Sequence, residues 1–146
     1  MSLHGDYDSQ NIFAQIIRGD APCYKLYEDD DVLAFLDVFP QSFGHTLVIP
    51  KRSAARNILE VDPEALAKVM VVVQKLTQVI VAELEPAGVQ IAQFNGAPAG
   101  QTVFHIHVHI VPRYAGEGLG VHASKKAEAA ELEQLQARLL RALARS

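Results

Sequence analysis

Apolar positions along the chain change their period several times, and each change predicts an element. Ile12, Phe13, Ile16 and Ile17 recur at helical spacing, so a short helix is expected there, capped by Asp8 or Ser9 and stopped by Gly19 and Pro22. Residues 24–27 and 32–36 are extended runs on either side of the acidic turn 28–31, the pattern of a β-hairpin. After a Pro- and Gly-containing break at 40–44, Thr46, Leu47, Val48 and Ile49 form a third extended run that Pro50 closes. Asp62, Pro63 and Glu64 supply a cap, a preset first turn and a favourable charge for the main helix. Its stripe is Leu66, Val69, Met70, Val73, Leu76, Thr77, Ile80 and Leu84, and Pro86 and Gly88 end it. Because β-branched residues crowd positions 69–81, packing rather than intrinsic propensity must hold this helix. Two further strands are expected at 89–94 and 102–111, joined by a turn at 95–100. Leu132, Leu135, Leu139 and Leu143 mark a closing helix within 125–145. The sum is an α+β domain, 1–146, with five mostly antiparallel strands and helices packed against them.

With 146 residues and 49% hydrophobic composition, the chain has the size of one globular domain with a sizeable core. Seventeen acidic against thirteen basic residues, with no long basic block, argue against nucleic acid as a partner. An anionic ligand must then be held by local groups. The lone Cys23 excludes an intrachain disulfide framework and a thiolate zinc cluster, and reads as a small packed side chain. No leader-like run opens the sequence, and the apolar run 69–73 is far short of the ~20 residues that span a bilayer, so a cytoplasmic protein without a membrane partner is expected. His122, in the polar connection 116–126, reads as an incidental surface residue.

The candidate chemistry lies in His105, Ile106, His107, Val108, His109, Ile110 and Val111. On a strand, the three histidines would stand in one row about 6.6 Å apart, with Phe104, Ile106, Val108 and Ile110 on the core side. Burying three imidazoles for structure alone would demand partners for every ring nitrogen. Two chemistries fit the row. The imidazoles could ligate a transition metal with His45 as a fourth ligand, although no carboxylate or cysteine interleaves with them. Alternatively, one neutral imidazole attacks phosphorus while a neighbour holds its tautomer and another protonates the departing group. The preceding turn, with Gly96, Gly100, Gln101 and Thr102, offers close backbone approach, an amide and a hydroxyl to phosphate oxygens.

These residues resemble the histidine triad family of nucleotidyl hydrolases and transferases. The likeness runs through Asn11-Ile12-Phe13, Tyr27-Glu28-Asp29, Leu33-Ala34-Phe35-Leu36-Asp37, Gly44-His45-Thr46-Leu47-Val48-Ile49-Pro50, Ala99-Gly100-Gln101-Thr102 and the histidine run, over residues 10–114. The resemblance implies that His107 is the nucleophile taking a nucleoside monophosphate, that His109 protonates the leaving group, that His105 orients the array and that His45 contributes from the neighbouring strand. It further implies that Asp37 bonds the ribose hydroxyls and that Ile12, Phe13, Ile16, Phe35 and Val38 surround the purine. A homodimer joined through the main helix and a strand is implied as well.

The sequence departs from the family pattern in places. Lys51, Arg52 and Ser53 stand where many relatives carry a further histidine, and Asn11-Ile12-Phe13-Ala14 lacks the cysteines that bind structural zinc in some bacterial members. No metal and no cofactor are therefore expected. Phe94 occupies a position that is polar in several relatives, so either Asn95 reaches phosphate through a shifted backbone, or Gln101, Thr102 and backbone donors do that work. The implied substrate is a purine nucleotide conjugate attacked at its α-phosphorus. A phosphoramidate comes first and a dinucleoside polyphosphate second. A nucleotide-binding module with little turnover and a metal-dependent hydrolase are the readings from other classes.

Overall fold

The computed structural model describes residues 2–117 and 125–146; His122 lies outside them. In chain order the elements are α1 (Ile12–Arg18), β1 (Lys25–Glu28), β2 (Val32–Leu36), β3 (Thr46–Pro50), α2 (Pro63–Leu84), β4 (Gly88–Ala92), β5 (Val108–Arg113) and α3 (Ala129–Arg145). All strand pairs are antiparallel in one five-stranded sheet of order β1-β2-β3-β5-β4. The α+β fold expected from the sequence is the fold observed.

Period-two alternation divides the buried strand residues between two faces. Val32, Ala34, Leu36, Val48, Val108 and Ile110 face α2 and α3, meeting Val69, Val73, Leu76 and Ile80 of α2 and Leu132, Leu135 and Leu139 of α3 in the main core. Leu33, Phe35, Leu47 and Ile49 face the other way and pack on Phe13 of α1. The register carries one row across this second face, Phe35 opposite Leu47, Leu47 opposite His109, and His109 opposite Ala92.

Several details differ from the sequence expectation. α1 is capped by Asn11, whose side chain accepts from the Ala14 amide, while Asp8 bonds the Gln10 amide before the helix begins. Asp62 precedes α2 without a side-chain cap bond, leaving the start of the helix to Pro63 and Glu64. On α2, Met70 is exposed, and Val72 and Val79 take the buried places beside the expected stripe, because α3 as well as the sheet covers the helix. Length and composition alone would let α2 cross a membrane, contrary to the run-length expectation, but its buried side is built into the main core.

The largest difference concerns the histidine strand, which begins at Val108 and not at Thr102. β3 pairs with β5 only from Thr46 to Val48, and β3 ends at Pro50, which has no amide hydrogen to continue a ladder. Residues 101–107 therefore run irregularly, with the Ile106 amide bonded to the Ala55 carbonyl at 3.0 Å. Ile106 drops into a separate small cluster with Ala55 and Val61, and Phe104 is half-buried beneath the Arg56 guanidinium.

Gly44 turns the chain from β2 towards β3 at φ 96°, and a Cβ there would stand 2.6 Å from Leu84 Cδ1 and 3.3 Å from Pro112 Cγ. Gly44→Ala should destabilise the fold by about 1–3 kcal/mol from backbone strain and this crowding. A urea titration measures it, and an unchanged midpoint would contradict the assignment.

Candidate functional site

The ends of β2, β3 and β5 bring Asp37, His45, His107 and His109 to one wall of a cavity of about 1190 Å³. Ile12, Phe13, Ile16, Phe35 and Val38 line the same cavity, together with Gly100 and Thr102. The ring centroids of His107 and His109 are 4.9 Å apart, and Phe13 stands edge-on to His107 at 4.9 Å.

Hydrogen bonds fix the proton on each ring. Nδ1 of His107 lies 2.7 Å from the carbonyl oxygen of His105, and a carbonyl only accepts, so Nδ1 carries hydrogen and Nε2 keeps a lone pair. The Gln41 amide donates to Nδ1 of His45 at 3.0 Å, so the His45 proton sits on Nε2. That Nε2 is 2.9 Å from Nδ1 of His109 and 3.5 Å from Asp37 Oδ2. His109 accepts at Nδ1 and holds its own hydrogen on Nε2, a buried atom without a partner among the described residues. The wall thus carries a free lone pair, on His107, and next to that ring the buried, unpartnered N–H of His109.

All these rings are neutral near pH 7. Burial lowers the pKa of His45 to about 4, of His107 to about 4 and of His109 to about 3, with neighbouring charges adding to the effect. The 3.5 Å approach of His45 Nε2 to Asp37 is consequently not an ion pair at that pH, and the single Nε2 hydrogen of His45 goes to His109. Burial raises Asp37 to about 6 even though its Oδ1 accepts from the Phe39 amide at 2.8 Å.

Three expected site residues have other employment. His105 does not share the row: its Nε2 donates to the Pro50 carbonyl at 2.9 Å and its Nδ1 meets the Tyr7 hydroxyl, so it touches His107 through its backbone alone. Gln101 is buried, with its side chain accepting from Gly96 and donating to the carbonyls of Arg56 and Val103, which fixes the turn and leaves no amide for a phosphate. Asn95 accepts from the Ile58 amide at 2.9 Å and bonds Gln93, outside the cavity. Phe94 lines the cavity instead, its ring 5.1 Å from that of His109. The family comparison pointed to position 94, but no local pattern distinguishes it from a strand residue. Lys126 and Leu132, from the segment entering α3 and from α3 itself, also reach the cavity. Only tertiary packing could reveal them. Cys23 is half-buried beside Phe13 and lines the cavity, and burial raises its thiol pKa.

The donor atoms of Asp37, His45 and His109 lie within 4.8 Å of one another, close enough to hold a metal ion in place of the His45–His109 hydrogen bond.

Known proteins resemble this chain in sequence and fold. The HIT domain family model matches residues 18–116. "Protein hit" of Bacillus subtilis is 44% identical over 126 residues, 86% of each chain. Adenylylsulfatase HINT3 of Arabidopsis thaliana is 40% identical over 120 residues, 78% of this chain and 60% of that protein. Among solved structures, a Hit-like protein involved in cell-cycle regulation from Bartonella henselae superposes with a TM-score of 0.88 at 41% identity, covering 94% of this chain and 99% of the other. A hypothetical histidine triad nucleotide-binding protein from Sulfolobus tokodaii gives 0.82 at 34% identity, with 91% of each chain covered. Fold and site together define an α+β histidine-cluster protein of the nucleotide hydrolase and transferase class. The chain belongs to the HIT domain family.

The pKa shifts have opposite consequences for stability. Unfolded histidines bind protons from about pH 6.5 downwards, whereas the native rings resist until about 4, so falling pH favours unfolding. Asp37 opposes this, because its native carboxyl takes a proton at about 6 and its unfolded one only near 3.8. The urea midpoint should fall between pH 7 and 5, and Asp37→Asn should steepen that fall by removing the opposing group. A midpoint independent of pH over this range would refute the neutral-cluster description.

Proposed function

We propose that the protein hydrolyses nucleoside phosphoramidates at the α-phosphorus through a nucleotidyl-histidine intermediate. One observation carries this reading: a free lone pair on His107 Nε2 stands at the wall of a nucleotide-sized cavity, next to a His109 ring whose Nε2–H is buried and unpartnered. In the first step His107 Nε2 attacks phosphorus, the P–N bond breaks, and His109 gives its Nε2 proton to the departing amine, the negative charge left on its ring being held by the His45 Nε2–H at Nδ1 until the second step restores the proton. His107 takes up no proton as it bonds phosphorus; the hydrogen it already carries on Nδ1 points at the His105 carbonyl, which stabilises the developing positive charge. In the second step His109 Nε2 removes a proton from water as the water attacks phosphorus, and nucleoside monophosphate leaves. Both residues return to their starting protonation.

Asp37, at the end of β2, is the proposed acceptor for the ribose hydroxyls, and Ile12, Phe13, Ile16, Phe35 and Val38 the apolar surround of the purine. Gly100 and Thr102 are the proposed phosphate contacts, without the Gln101 and Asn95 side chains. The adenylylsulfatase name of the Arabidopsis relative supports attack at a nucleotide α-phosphorus and adds adenylyl sulfate, from which sulfate would depart, to the substrates worth testing beside a diadenosine polyphosphate. Exposed Met70 and Val71 on α2 support the further proposal of a homodimer through that helix.

His107→Asn should lower turnover of an adenosine phosphoramidate by about three orders of magnitude while AMP still binds. Parental turnover in that variant would exclude His107 as nucleophile. Metal dependence is a second reading, favoured by the Asp37, His45 and His109 donor cluster. Under the covalent mechanism, extensive chelation leaves the rate unchanged, and a rate abolished by chelation and restored by zinc would replace it. Val71→Glu should shift the protein from dimer to monomer in analytical ultracentrifugation, and a parent already monomeric at micromolar concentration would refute the assembly.

A further inference from the structure

The segment preceding α1 is strapped onto the loops that carry the histidines. Arg56 donates to the carbonyls of Ser2 and Asp6 at 3.0 and 3.2 Å, and Asn57 donates to the Leu3 carbonyl at 2.9 Å. The Ala97 amide donates to the Ser2 hydroxyl at 2.7 Å. At its inner end the strap reaches the histidines through Tyr7, whose hydroxyl lies 2.6 Å from Nδ1 of His105, with the ring centroids 5.8 Å apart at 63°. Because Nε2 of His105 carries the hydrogen given to the Pro50 carbonyl, Nδ1 of the neutral ring can only accept, and the phenol donates. His105 is 1% exposed, so water has no route to replace that donor.

We propose that Tyr7 is a positioning residue for the reaction given above, holding His105 in its Nε2–H tautomer and thereby fixing the carbonyl that orients His107. The inference rests on that reaction for its kinetic part. Its physical basis is the continuity of three contacts. The Tyr7 hydroxyl holds one ring nitrogen of His105, the Pro50 carbonyl holds the other, and the His105 carbonyl receives the Nδ1 hydrogen of His107. With the hydroxyl removed, Nδ1 of His105 is a buried acceptor without a partner, which favours reorientation of the ring. That change displaces the backbone on which the His107 tautomer depends, and a His107 carrying its hydrogen on Nε2 has no lone pair aimed into the cavity. Tyr7 itself does not line the cavity, so it acts on the rate and not on nucleotide contact.

The test compares Tyr7→Phe, which keeps the ring against His105, with Ser2→Ala, which loosens the same strap at Ala97 without touching a histidine. Turnover of adenosine 5′-phosphoramidate is measured together with imidazole 15N spectra of the unliganded proteins. Tyr7→Phe should lower kcat about tenfold with KM held within about twofold, and the His105 and His107 signals should move away from single tautomers. Ser2→Ala should retain the parental kcat and spectra. Parental kcat and parental tautomers in Tyr7→Phe would overturn the proposal, as would an equal loss of kcat in Ser2→Ala. If the parent fails to cleave the phosphoramidate, the proposed reaction falls and the spectra alone decide Tyr7: an altered His107 tautomer upholds its role, and an unaltered one ends it.

Discussion

The bond from His107 Nδ1 to the carbonyl of His105 is the constraint on which the site depends. It assigns the ring hydrogen to one nitrogen and leaves the other with a lone pair facing the cavity. A regular strand would spend that carbonyl on a neighbouring chain, so the bond requires irregular backbone before β5. Pro50 helps to create that irregularity, since it closes β3 and has no amide hydrogen with which to extend the ladder. Its carbonyl, freed by the same break, accepts from His105.

Burial supplies the rest of the electrostatic character. Three imidazoles set among apolar and aromatic side chains are cheaper to keep neutral than charged, which places their pKa values at about 4, 4 and 3. Neutrality costs little only where ring nitrogens are hydrogen-bonded. Gln41, His45, His109 and the His105 carbonyl meet that condition for all but the Nε2 atoms of His107 and His109, and the N–H of His109 is buried without a partner among the described residues. The same low polarity works against Asp37, whose carboxylate becomes harder to keep charged as the wall becomes drier.

Much of the fold was legible from period and punctuation. The hairpin, β3 and the limits of α2 follow from runs bounded by Pro, Gly and acidic turns, and these signals are local. The burial of Val72 and Val79 was not legible, because it depends on α3 arriving from more than forty residues further along the chain. Nor was the irregular stretch at 101–107. His105 and His107 alternate with Ile106 as strand residues would, and only the missing partner beyond Val48 breaks the pattern. Gln101 and Asn95 show the matching limit for the site. Both are polar residues beside glycine, suitable in type for a phosphate, yet tertiary contacts to Arg56 and Ile58 claim their side chains.

Register is what joins the stability of the sheet to its chemistry. His109 faces the cavity because Leu47 stands opposite it and Val48 stands opposite Val108, with Val108 and Ile110 pointing into the main core. A slip of one residue in β5 would carry His109 into that core and bring Val108 and Ile110 to the cavity wall. Such a slip would bury a histidine among Val73, Leu76 and Ile80 and remove two aliphatic side chains from the same packing. The apolar face remote from the cavity therefore selects the one register in which the imidazoles meet, and the distances among the histidines are maintained by residues that never touch them.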